Sequence, residues 1–117
     1  MLARFRRAAV GAAVVAAVMG QMVPAQAATT ITAKCDFYSP KSATVAKGAT
    51  VVWKSGCKDH TVTSYSSNWS KNTTLHVGQS TSRKFTAKGT YKFRCRFHSS
   101  VSGGVCSGMC GSVRVTA

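Results

Sequence analysis

The sequence predicts an all-β domain, built either as a sandwich or as a barrel. After Ala27 no apolar pattern with a helical period occurs. Instead, short runs rich in Val, Thr, Tyr and Phe are separated by Gly, Ser and Asn at intervals of about ten residues, a spacing typical of such folds. The 90 residues after Ala27 suffice for one core, and at that size a metal or disulfides are expected to help stabilise it.

Residues 1–27 have the three parts of a secretory signal peptide. Residues 1–7 carry three arginines and no acid, residues 8–19 are apolar, and residues 25–27 form an A-x-A cleavage signal. The apolar run is shorter than the ~20 residues that a membrane anchor needs. The sequence therefore predicts cleavage near Ala27 and a secreted, periplasmic or cell-envelope domain at residues 28–117.

Strand-like runs follow one another along this domain. The predicted strands are residues 30–37, 43–46, 50–54, 60–64, 80–86, 90–95 and 112–116. Lys47-Gly48 supplies a turn between the second and third strands, and Lys88-Gly89 predicts a hairpin that joins residues 80–86 to residues 90–95. The polar residues 65–74 are predicted to form a surface segment.

Alternation in the predicted strand 90–95 assigns its two faces. Tyr91, Phe93 and Cys95 share one face, while basic residues occupy the other. Cys95 therefore ends the inward row, beneath aromatic rings at one end of the domain. Val113 and Val115 are expected to point inward from the last strand.

Charge restricts the possible partners of the domain. Without the three arginines of residues 1–7, 13 basic residues remain against Asp36 and Asp59, a net charge of +11. An acidic protein patch or an anionic envelope polymer fits this charge, although solubility alone also explains it. The basic residues are scattered, which disfavours nucleic acid. Two carboxylates also leave little for an enzyme that works with paired acids.

Cysteine and histidine positions suggest a metal site. Cys95 and His98 are three residues apart, Met109 precedes the last strand, and His60 begins another strand after a loop. Two imidazoles, a thiolate and a weak thioether are the donors of blue-copper electron-transfer sites. Zinc does not select thioether. A Cys95–His98 nucleophile would also need an orienting group and an oxyanion hole, which the sequence does not indicate.

Six short segments occur in an order that resembles a known family. They are residues 37–40, 45–53, 60–63, 78–80 followed by Phe85, 89–98 and 109–115. In that order they resemble the cupredoxins of the plastocyanin, pseudoazurin and amicyanin kind, over nearly all of residues 28–117.

This resemblance implies a Greek-key β-sandwich with one type 1 copper ion at one end. The implied ligands are His60, Cys95, His98 and, axially, Met109. The implied function is to shuttle single electrons between redox partners by cycling Cu(II) and Cu(I), through the exposed edge of His98. We therefore expect a monomeric carrier that is not an enzyme, has no membrane span, binds no nucleic acid and docks on an acidic redox partner. A copper-binding or delivery protein with the same ligands is the alternative, and a structural domain without a working site is a third.

The sequence departs from the family in the ten residues between His98 and Met109, where the family's gap is short. We interpret residues 99–108 as an insertion in the ligand loop, and replacement of Met109 by Cys106 or Cys110 as ligand stays open. With Cys95 as the thiolate, four cysteines remain as disulfide candidates, Cys35, Cys57, Cys106 and Cys110. They allow three pairings. One of these, Cys57 with Cys106, would close a loop of about fifty residues.

Two further residues have predicted roles. Thr61, beside His60, is expected to orient the ligand loops by hydrogen bonding. His76 is expected at the surface, far from the ligand cluster.

Overall fold

The computed structural model describes residues 28–117, which fold into two packed sheets. The predicted signal peptide lies outside the described residues. The strands are β1 Thr29–Ala33, β2 Tyr38–Ser39, β3 Ser42–Ala46, β4 Thr50–Ser55, β5 His60–Ser64, β6 Asn72–Leu75, β7 Ser80–Lys84, β8 Gly89–Ser102 and β9 Val105–Thr116.

One sheet has the strand order β2-β1-β4-β7 and the other the order β3-β9-β8-β5-β6. Both sheets are mixed, because β1 pairs with β4, and β3 with β9, in parallel. The predicted all-β sandwich is confirmed. From residue 28 onward the structure contains no helix with the length and apolar character needed to cross a membrane.

The core fills the space between the sheets with the inward rows that alternation predicts. Tyr91, Phe93 and Cys95 are buried on β8, and Val113 and Val115 are buried on β9. Trp53 of β4 meets Phe93 across the sandwich, with ring centroids 5.3 Å apart and the planes at 79°. This edge-to-face contact joins the sheets beneath the ligand-bearing end of β8.

The predicted hairpin between residues 80–86 and 90–95 is wrong. β7 pairs antiparallel with β4, whereas β8 lies in the other sheet between β9 and β5. Phe85 follows β7 and is buried in the core. The chain passes from one sheet to the other just after this residue. A glycine turn shows that the chain reverses direction, but not that the strands on either side of it pair.

The first strand is shorter than predicted, and two strands, β2 and β6, were missed. β1 ends at Ala33, after which the Lys34 N–H donates to the Phe37 carbonyl (2.8 Å) and the chain turns back into β2. β6 begins within residues 65–74, which were predicted to form a surface segment, and ends at Leu75, its one buried residue. Hydrogen bonding to β5 holds β6 in the sheet, because the sequence of β6 itself is mostly polar.

Residues 99–108 form an ordered hairpin. β8 and β9 continue through this segment with four cross-strand pairs, from Ser99 with Gly108 to Ser102 with Val105. Gly103 and Gly104 make the turn with φ of 56° and 78°, the left-handed conformation that a two-residue hairpin turn favours. The insertion therefore extends the two strands that carry the candidate ligands.

Candidate metal centre

Three side chains meet at one end of the sandwich with their donor atoms turned toward one another. The donor atoms of His60, Cys95 and His98 lie within 4.8 Å of one another. The Cys95 Sγ atom is 3.5 Å from His60 Nδ1 and 3.4 Å from His98 Nδ1. Nitrogen and sulfur donors at about 2.0 and 2.3 Å from a shared metal lie about 3.5 Å apart at a near-tetrahedral angle. These separations therefore fit one small metal ion.

His60 supplies its nitrogen from a fully buried position at the start of β5. Burial lowers the pKa of its imidazole, while backbone groups of Cys57 and Lys34 raise it and His98 lowers it further. The lowered pKa favours the neutral ring, which is the form that binds a metal. The Nε2 atom is buried without a hydrogen bond of ordinary geometry.

A break in the β8–β9 ladder brings Cys95 and His98 to the same place. Arg94 pairs with Cys110 and the next pair is Ser99 with Gly108, so four residues of β8 face Met109 alone. The ends of the looped-out segment are tied together, because the Ser99 hydroxyl donates to the Cys95 carbonyl and Arg94 Nη1 donates to the Ser99 hydroxyl at 3.2 Å. Cys95 keeps the inward direction of its strand and is fully buried, while His98 is half-buried.

Thr61 connects β5 to this looped-out segment through its backbone and its side chain. Its N–H donates to Cys95 Sγ at 3.4 Å, and its hydroxyl oxygen accepts from the Arg96 N–H at 2.8 Å. The Tyr38 hydroxyl donates to the Thr61 carbonyl at 2.7 Å. Burial, followed by the nearby Cys95, raises the pKa of Tyr38, which keeps this hydroxyl protonated as a donor. Sequence analysis suggested an orienting role for Thr61 but gave no signal for Tyr38.

Met109 lies opposite the gap in the ladder and is fully buried. It clusters with His60, Cys95 and His98 at this end of the sandwich. Gly108, just before it, has a φ of 99°, and a Cβ there would collide with the His98 carbonyl. Glycine at this position therefore lets the hairpin approach the His98 backbone closely.

Two disulfides flank the site. Cys35–Cys57 joins the turn after β1 to the loop before His60, and Cys106–Cys110 closes a short ring around Met109. The pairing of Cys57 with Cys106 does not occur. Within residues 28–117 Cys95 is the free cysteine.

The surface beside the site is partly apolar and basic. Phe97 is half-exposed next to His98, and the Arg96 guanidinium lies 5.7 Å from the Phe97 ring centre. His76 is exposed, as expected, but it is not far from the cluster, because its Nδ1 lies 3.1 Å from an oxygen of Asp59, the neighbour of His60. It does not belong to the group of donor atoms.

Comparisons with known proteins agree with this geometry. The model of the cupredoxin-like domain family matches residues 7–106. A purple cupredoxin from Nitrosopumilus maritimus has a similar structure, with 24% identity and a TM-score of 0.61, over 75% of this chain and 99% of that chain. A reduced amicyanin variant is 26% identical with a TM-score of 0.61, over 80% of this chain and 86% of that one. Comparison with curated protein sequences gave no match.

A copper-containing nitrite reductase from Thermus scotoductus is also similar in structure, with 18% identity and a TM-score of 0.62. The likeness covers 85% of this chain but 26% of that one, so it concerns one part of the reductase and shows the fold alone. Sulfur and imidazole donors in one cluster are the chemistry that selects copper over hard cations. Because the family match spans most of its length, this chain belongs to the cupredoxin-like domain family, and its cofactor is one copper ion.

Proposed function

We propose that this protein is an exported type 1 copper protein that carries single electrons between larger redox partners. The observation that carries the proposal is the buried Cys95 thiol within 3.5 Å of two imidazole nitrogens. His60, Cys95 and His98 would hold the copper, and Met109 would be the axial ligand. Bound there, copper supplies one-electron exchange between Cu(II) and Cu(I).

The residues around the donors support this function by keeping the site in one arrangement. The Thr61 N–H donates to the Cys95 sulfur and so helps to fix its position. Thr61, Arg94 and Ser99 hold the looped-out segment through hydrogen bonds, and the Tyr38 hydroxyl holds Thr61 by donating to its carbonyl. A site supported by these hydrogen bonds resists rearrangement when the charge of the metal changes.

Electrons would pass through His98, since it is the donor that reaches the surface. His60 and Cys95 are fully buried, whereas His98 is half-buried beside the exposed Phe97 ring. We propose an acidic protein as the partner at this end, because residues 28–117 carry a net charge of +11. The protein would act as a monomer and without catalytic turnover, after removal of residues 1–27.

Adding Cu(II) to purified residues 28–117 tests the proposed function. We expect an intense visible band from thiolate-to-copper charge transfer, which Cys95→Ser abolishes and His98→Ala abolishes or strongly alters. His76→Ala is the matched control, because it removes an imidazole at the same end that lies outside the donor cluster. Reversible reduction of the coloured protein by one electron per copper completes the test.

Two results would contradict the proposal. Tight copper binding without the visible band would favour a copper-delivery protein, and loss of the band in His76→Ala as in His98→Ala would contradict the ligand assignment. N-terminal sequencing of the exported protein tests the predicted cleavage near Ala27.

A further inference from the structure

A disulfide folds strand β9 around Met109. Cys106 and Cys110 are four residues apart, and their Cα atoms lie 6.2 Å from each other. Four residues of extended strand would span about 13 Å. The chain is therefore bent sharply within the ring that the disulfide closes, and Met109 is one of the three residues inside it.

The bend lies opposite the looped-out ligand segment of β8. Cys110 pairs with Arg94 on one side of the gap in the ladder, and Gly108 pairs with Ser99 on the other. Met109 thus bridges a place where cross-strand hydrogen bonds do not hold β9 in register with β8. The left-handed φ of Gly108 makes the bend possible, but the backbone there has no ladder contact to maintain it.

We propose that the Cys106–Cys110 disulfide is a positioning element for Met109, which keeps the thioether at the copper site despite the ten residues that separate it from His98. This inference rests on the proposed function, in which Met109 is the axial ligand. The hairpin of residues 99–108 has its strands paired with each other alone, so its motion would carry Met109 with it unless the ring restrains the bend. The disulfide restrains the bend by a covalent bond.

The other disulfide of the chain, Cys35–Cys57, provides a matched control. The double variant Cys106→Ser/Cys110→Ser removes the ring around Met109, and Cys35→Ser/Cys57→Ser removes a disulfide near His60 instead. Each double variant is produced in the native background and in the Met109→Leu background. The reduction potential and the visible spectrum of the copper-loaded proteins are then measured. Such a cycle isolates the coupling between the disulfide and Met109.

If the proposal is correct, loss of Cys106–Cys110 shifts the reduction potential and the relative intensities of the visible bands in the native background. In the Met109→Leu background the same loss changes both quantities little. Loss of Cys35–Cys57 has the same effect in both backgrounds. Equal effects of the Cys106–Cys110 change in the two backgrounds would overturn the proposal. Absence of the visible band in the unmodified protein would instead contradict the proposed function, so the two failures are distinguishable.

A metal-free measurement gives an independent result. Amide hydrogen exchange at Met109 in the copper-free Cys106→Ser/Cys110→Ser variant should be at least roughly tenfold faster than in the unmodified protein, with exchange in β5 unchanged. Unchanged exchange at Met109 refutes the proposal. If the serine variant does not fold, Cys106→Ala/Cys110→Ala repeats the comparison without placing a hydroxyl at the buried Cys110 position.

Discussion

Thr61 shows how much of the site depends on one residue that binds no metal. It connects Cys95, Arg96 and Tyr38 through three different groups, its N–H, its hydroxyl oxygen and its carbonyl. Two of these contacts use the backbone, so most substitutions leave them in place. The hydroxyl alone depends on the threonine side chain, and it can be tested separately.

Thr61→Val keeps the shape of the side chain and removes the acceptor of the Arg96 N–H. We expect the copper-free protein to lose about 0.5–1.5 kcal/mol of unfolding free energy, because the part-buried Arg96 N–H loses its hydrogen-bond acceptor. The visible band should also shift, since the Cys95–His98 segment loses one of its anchors. Thr44→Val, at an exposed position of β3, is the control and should stay within about 0.5 kcal/mol of the unmodified protein. Equal stability of the two variants in denaturant titration would refute the anchoring role.

Gly111 lies where the surrounding atoms leave no room for a side chain. A Cβ at this position would lie 2.5 Å from Phe93 Cζ and 2.6 Å from the Lys41 carbonyl oxygen. Gly111→Ala should therefore lower the unfolding free energy by about 1–3 kcal/mol through overpacking. At Gly56 a Cβ would meet Thr32 Cγ2 at 3.3 Å, so Gly56→Ala should cost less. Thermal unfolding of both copper-free variants gives the comparison, and a milder effect at Gly111 would contradict it.

At the scale of strands and loops, the sequence predicted what depends on local pattern and missed what depends on pairing. The runs rich in valine and threonine that became β3, β4 and β5 were found within one residue at each end, because alternation marks a half-buried strand. β6 was missed because Leu75 alone faces the core. Its hydrogen bonds come from β5, which a local pattern does not reveal.

The ligand segment shows the same division. Cys-x2-His in residues 95–98 suggested two donors at one end, and the structure brings both toward His60. The gap in the ladder opposite Met109 was beyond prediction, since it is a property of how β8 and β9 register. The two disulfides were likewise left open, because pairing depends on which turns the fold places side by side.

The two disulfides should differ in their contribution to stability. Cys35–Cys57 spans 22 residues and Cys106–Cys110 spans 4. The chain-entropy model gives about 3 kcal/mol for the first and about 2 kcal/mol for the second, since a longer closed loop restricts the unfolded chain more. Unfolding of the copper-free double-serine variants in denaturant measures both. A larger loss from Cys106–Cys110 would show that it also holds contacts outside its own ring.

Over the whole molecule, the distribution of charge provides a test of the docking of the proposed acidic partner. Asp36 and Asp59 are the acids of residues 28–117, and Asp59 pairs with His76. Arg96 lies at the copper end beside Phe97, while Arg114 pairs with Thr90 toward the opposite end. Substituting each of these two arginines in turn distinguishes a local effect on docking from an effect of total charge.

Arg96→Glu and Arg114→Glu change the net charge equally. If docking occurs around His98, Arg96→Glu should slow electron transfer to an acidic redox protein by about tenfold at low salt, and Arg114→Glu should have a smaller effect. The difference should disappear at high salt, because the Debye length falls to about 3 Å at 1 M. Stopped-flow rates over a salt series measure this. Equal slowing by both variants would indicate steering by total charge without docking at this end.

The hairpin of residues 99–108 has a consequence for how such sites diversify. An antiparallel extension adds residues in facing pairs, so the chain between His98 and Met109 lengthens while both residues stay where the parent ladder ends. His98 and Met109 can therefore be far apart in the sequence and still lie at the same end of the fold. The boundary at Ser99 and Gly108 is therefore a natural grafting point, where a hairpin of another length or sequence can replace this one and change the surface of the molecule at its copper end.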